Sequence, residues 1–174
     1  MGTRSVIARQ TQDGFTGRYH HWDGYPSGVG QTLYDLYNGH FGRDLTRMLS
    51  VLLDEHPAGW STINECDFSL PPGWDGKNGA RPQCYCHGER SEEEQTVTHE
   101  DAADCGCEYA YVFPPGEPRF HVLTSVSEGD VKMIGMFGFG DPAASWRYVA
   151  TVEMDEPAPD WPRLDAKARH PGDE

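Results

Sequence analysis

Two Cys-x-Cys pairs, Cys84-Tyr85-Cys86 and Cys105-Gly106-Cys107, bracket a polar, acidic stretch that has no apolar periodicity. A structureless loop of that length is hard to keep ordered inside a compact domain unless something ties it down. Four thiols brought together by the ends of one loop make a tetrahedral soft-metal site, most simply for Zn²⁺. The spacing therefore predicts Cys84, Cys86, Cys105 and Cys107 as ligands, with His87 or His99 as the alternative for one thiol. Cys-x-Cys constrains the backbone more than Cys-x-x-Cys does, so unligated or disulfide-forming cysteines are the competing reading. A fifth cysteine, Cys66, is left over. No His-Glu-x-x-His or comparable signature is present, so the expected metal is structural.

The cysteines are read as metal ligands because the chain offers no sign of an oxidising compartment. Met1-Gly2-Thr3-Arg4-Ser5 leads into Val6-Ile7-Ala8 with no signal-peptide apolar region, and no apolar run is long enough to span a bilayer. A reducing cytoplasm is the expectation. Asp and Glu number 28 against 14 Lys and Arg, a formal net charge of −14. A duplex-binding surface needs clustered Lys and Arg, so direct nucleic-acid binding is not expected. The charge serves solubility, or presents an acidic face to a basic partner.

The expected fold class is α+β. Residues 4–10 and 15–22 read as an N-terminal hairpin turning at Asp13-Gly14. A helix capped by Ser27 carries Val29, Leu33, Leu36 and Tyr37 on one face and ends at Asn38-Gly39. A second helix, capped by Asp44, carries the stripe Leu45, Met48, Leu49, Leu52 and Leu53 and should lie on a mainly antiparallel sheet. Strand patterns return over 108–113, 119–126, 131–137 and 146–153. Residues 1–154 are thus expected to form one domain, with 64–107 an irregular loop or zinc-clipped insertion. Residues 155–174 read as a Pro-rich, charged tail with little core of its own.

The richest local chemistry lies in His20-His21-Trp22-Asp23-Gly24-Tyr25-Pro26-Ser27-Gly28-Val29-Gly30, where a strand hands over to a helix. Backbone amides at a helix start can bind an anion, and Gly28 and Gly30 would let a ligand approach the backbone. His21, Trp22, Asp23, Tyr25 and Ser27 are the candidate recognition residues. Turn and cap chemistry accounts for most of the same residue types. The string is neither a complete Gly-x-Gly-x-x-Gly nor a Walker A loop. His40, His56 and His121 stand singly near element ends or on strands and carry no expectation of a site.

The opening Gly2-Thr3-Arg4-Ser5, the string His21-Trp22-Asp23-Gly24-Tyr25-Pro26, the segment Cys84-Tyr85-Cys86-His87 and the strand 108–113 resemble a group of small proteins of actinobacteria and their tailed phages. The resemblance covers most of residues 1–125, carries over no catalytic role, and implies a context: a phage or actinobacterial accessory protein made in a reducing cytoplasm. The leading functional expectation is a non-catalytic, zinc-stabilised protein that binds a macromolecular partner or a small anionic ligand. Two alternatives stand beside it. One is an enzyme on a nucleotide or phosphoester, with His20 or His21 as acid/base and Asp23 as orienter. The other is a virion component or acidic interaction protein.

Overall fold

A computed structural model describes residues 2–73, 81–87, 93–102, 104–126 and 146–170. Its centre is an eight-stranded mixed sheet in the order β4-β3-β2-β1-β6-β7-β8, with β5 also on β2. The strands are β1 Ser5–Gln10, β2 Phe15–His20, β3 Trp60–Thr62, β4 Gln83–Cys84, β5 Val97–Thr98, β6 Tyr109–Phe113, β7 Arg119–Ser125 and β8 Trp146–Glu153. The β1–β2 hairpin forms as expected, closed by Thr11 N donating to Gly14 O at 2.9 Å. Strand β1 then pairs in parallel with β6, and β2 pairs in parallel with β3; the other pairings are antiparallel. The expected strand over 131–137 lies outside the described residues.

Strand alternation divides the core between two faces. Ile7, Tyr111, Phe113, Phe120 and Val122 point to the face that carries the helices. Val6, Ala8, Phe15, Ala110, Val112 and Leu123 point to the opposite face. Each of these side chains is almost wholly buried, so β1 and β6 are covered on both sides. A π turn at Pro26–Gly30 runs directly into α1, Gln31–Asn38, and α2, Leu45–Leu49, runs into a second π turn at Ser50–Asp54. Met48, Leu49, Leu52 and Leu53 bury the predicted stripe against the sheet. Asp44 caps α2 by accepting from Arg47 N at 2.9 Å. The second π turn is tied to the sheet by the paired 2.8 Å hydrogen bonds from Arg9 to Asp54 and by Arg18 Nε donating to Leu53 O at 2.7 Å.

Two expectations are corrected. The C-terminal segment is not a loose tail: α3, Trp161–Arg169, buries Trp161 and Ala168 in the helical face of the core and packs on the π turn at Pro26–Gly30 and on β8. The Pro-rich composition misled because the apolar anchors are only a few residues. Nor does Ser27 cap the first helix; no side chain caps that helix start, and Ser27 bonds to α3 instead.

Candidate metal centre and binding pocket

After the second π turn the chain passes His56-Pro57, turns with Gly59 N donating to His56 O at 3.1 Å, and enters β3. Strand β4 pairs antiparallel with β3, placing Cys84 opposite Trp60. That pairing carries Cys84, Cys86 and His87 to the His56 ring, which lies against the Trp60 indole with ring centroids 4.7 Å apart. The ligand atoms of His56, Cys84, Cys86 and His87 all lie within 4.8 Å of one another. Cys84 Sγ and His87 Nδ1 are 3.2 Å apart, and Cys86 Sγ and His56 Nδ1 are 3.6 Å apart.

Those separations suit a metal. Bonds of about 2.3 Å to sulfur and about 2.0 Å to nitrogen put sulfur and nitrogen about 3.5 Å apart across a tetrahedron. The electrostatics point the same way. Burial, followed by the neighbouring Cys86 thiol, pushes the Cys84 thiol up to about 12. Burial, followed by His87, pulls the His56 imidazole down to about 4. Two thiolates and two neutral imidazoles around a divalent cation sum to zero charge, which removes the cost of burying the thiolates alone. The group could hold a metal ion with all four tetrahedral positions filled by protein.

The predicted four-thiol set is corrected here. Cys84 and Cys86 belong to the group, but Cys105 and Cys107 do not reach it. Cys84 is buried in the helical face of the core and Cys107 in the opposite face, so the sheet separates them. His87 does enter the set. His99 instead packs edge-on to Phe15 in the second face. Sequence pattern does not single out His56, because its approach to Cys84 and Cys86 depends on the pairing of β4 with the three-residue strand β3. The signal that could have found it is Cys84-Tyr85-Cys86-His87 itself: three local donors need a fourth from the neighbouring chain. Cys66 stands apart, its thiol directed at Asn64 O at 3.2 Å.

The predicted recognition loop divides. Asp23, Tyr25 and Ser27 line a pocket of about 440 Å³ with α1 residues Gln31, Thr32 and Asp35 and with Ile63, Asn64, Glu65 and Cys66. His21 and Trp22 do not line it. The His21 Nδ1 atom is 2.7 Å from Tyr19 Oη, and the His21 ring meets Trp22 edge-on. Trp22 is 45% exposed. His20 is fully buried, and its Nε2 accepts from Ile63 N at 3.2 Å. Gly28 is required at the pocket wall, because a Cβ there would lie 2.0 Å from Asp23 O.

The helix start in this loop is already supplied with an anion. Ser27 N and Oγ both donate to the Asp165 carboxylate, at 2.9 and 2.5 Å. Gly28 N donates to Tyr25 O and Val29 N to Asp23 O, while Pro26 has no N–H. The amides expected to receive an external anion are therefore engaged within the chain. The pocket lining also includes three carboxylates, Asp23, Asp35 and Glu65, and no Lys or Arg. Burial holds the Asp35 carboxyl above its ordinary value.

Comparison with protein-family models, with curated proteins and with solved structures finds no match. No helix among the described residues is long and apolar enough to cross a membrane.

Proposed function

We propose that this chain is a zinc-clasped binding protein whose acidic pocket receives a basic side chain of a protein partner. The observation that carries the clasp is the four-donor group of His56, Cys84, Cys86 and His87. Its two thiolates and two imidazoles favour Zn²⁺ over the hard cations, and a filled tetrahedron suits a structural role. The ion would hold β4 and the chain around it against β3 and Trp60. The wall of the pocket, Ile63 to Cys66, follows directly from β3, so the clasp also steadies the pocket.

Charge complementarity supports the occupant. Three carboxylates with Tyr25, Thr32 and Asn64 match a guanidinium or ammonium group better than the anion expected from the sequence. The −14 net charge would speed the approach of a basic partner. A reducing cytoplasm, consistent with thiolate ligands, is the proposed compartment.

The metal reading is tested on the purified full chain by elemental analysis. It expects one zinc per chain, lost in His56→Ala and Cys84→Ala and kept in Cys105→Ala. Zinc that depends on Cys105 would refute the assignment. The pocket reading is tested by NMR titration with an arginine-containing peptide. Shifts should centre on Asp35 and Asn64, weaken in Asp35→Asn and fall with added salt. Shifts confined to other surfaces would reject the pocket.

A further inference from the structure

The second Cys-x-Cys pair is left without a role by the metal centre. Cys105-Gly106-Cys107 lies in the turn between β5 and β6, on the sheet face opposite the helices. Both thiols are free, Cys105 exposed and Cys107 2% exposed. Cys105 N donates to Asp101 O at 3.0 Å and Cys107 N to Ala102 O at 2.9 Å, so the turn is held at both cysteines. Gly106 sits at φ +71, a left-handed bend that side-chain-bearing residues rarely adopt. Two residues apart, the α-carbons of an extended chain are about 7 Å apart. A bend brings such a pair inside the window of about 4.4–6.8 Å in which a disulfide can close.

The pair joins one accessible thiol to one buried thiol and lacks further ligands. Burial, followed by the neighbouring Cys105 thiol, pushes the Cys107 thiol up to about 12, and Arg4 offsets only part of that rise. The Arg4 guanidinium reaches the turn: a Cβ on Gly106 would lie 2.7 Å from Arg4 Nη1. The exposed Cys105 is the thiol that a disulfide in solution can reach. Tyr19, bonded to His21, and Glu108 also act on the Cys107 thiol. Among the described residues, no third Cys, His, Asp or Glu joins the pair in a metal-holding group.

We propose that Cys105 and Cys107 form a redox-active dithiol that reduces a small, solvent-accessible disulfide, with Cys105 attacking and Cys107 resolving. The Cys105 thiolate attacks one sulfur of R–S–S–R′. The S–S bond of the substrate breaks, the Cys105–S–S–R bond forms, and R′–S⁻ leaves with the proton that Cys105 gave up. Cys107 then attacks the Cys105 sulfur, R–S⁻ leaves with the Cys107 proton, and the Cys105–Cys107 disulfide closes. The chain loses two electrons and two protons, and the substrate gains them. A disulfide across one residue is strained and hence easily reduced again, as a cycling pair requires.

The test uses the full, zinc-loaded chain and glutathione disulfide as the probe, with thiols trapped by alkylation and mapped by mass spectrometry. The wild type should lose two hydrogens as one Cys105–Cys107 disulfide and keep its zinc. Cys105 should react on the order of tenfold or more faster than the half-buried Cys66. Cys107→Ser should accumulate the glutathione mixed disulfide on Cys105, and Cys107→Ala does the same where a buried hydroxyl disturbs folding. Cys105→Ser should abolish both products. Independent modification of the two thiols without closure, oxidation that expels zinc through Cys84 or Cys86 first, or a second metal equivalent lost in Cys105→Ser would each overturn the proposal.

Discussion

The buried His20 makes stability depend on pH in a way that can be calculated. Its Nε2 accepts the Ile63 N–H, so Nδ1 carries the ring hydrogen, and Nδ1 is buried without a hydrogen-bond partner among the described residues. Its cross-strand neighbour, Ser5, has a buried Oγ in the same condition. Burial, followed by His21, pulls the imidazole from 6.5 down to about 3. The neutral form is thus the folded form. Its contribution is complete above pH 6.5, declines as pH falls below 6.5, and is fully lost near pH 3. One pKa unit corresponds to about 1.4 kcal/mol, so the loss is about 2 kcal/mol at pH 5 and about 4–5 kcal/mol by pH 3. Protonation would also set a second N–H against the Ile63 donor. The assay is urea denaturation at pH 7, 6, 5 and 4 for the wild type and for His20→Gln, which keeps an acceptor for Ile63 and does not titrate in this range. Both proteins share the His56, Cys84, Cys86 and His87 group and all other ionisable groups, so the difference isolates His20. The expected difference in slope is one proton between pH 6 and 4. Parallel curves, or a His20 resonance titrating near pH 6 in the folded protein, would refute the reasoning.

Two further outcomes follow from α3. Asp165→Asn should cost about 1.5–3 kcal/mol in urea denaturation, because Ser27 N and Oγ lose a charged acceptor; wild-type stability would show that the carboxylate does not secure the helix start. Trp161→Ala should cost about 3 kcal/mol, since the indole is buried in the core and meets Tyr34 edge-on. A melting temperature unchanged by that substitution would restore the reading of residues 155–174 as a tail.

The parts legible in sequence are those governed by local chemistry. The Leu45–Leu53 stripe, the Asp44 cap and the Asp13-Gly14 hairpin depend on residues within a few positions of one another, and each is found as expected. The donor run Cys84-Tyr85-Cys86-His87 was legible for the same reason. The partner it takes was not, because a pairing between β3 and β4, strands far apart in the sequence, decides it. Strand β3 has only three residues and β4 two, too short for any periodic signal. The anion expected at the helix start met the same limit, since Asp165 arrives from α3, far along the chain.

The sequence by itself determined that soft donors occur in two tight pairs and that a polar, turn-rich loop joins a helical half to later strands. Tertiary structure decided which neighbours each pair meets. The sheet is covered on both faces, and a side chain can reach only the face its strand position assigns it. Cys84 and Cys86 were carried to the helical face beside His56, where two imidazoles complete a four-donor group that could hold a metal ion. Cys105 and Cys107 were carried to the opposite face beside Arg4, where no third metal-ligating side chain joins them among the described residues.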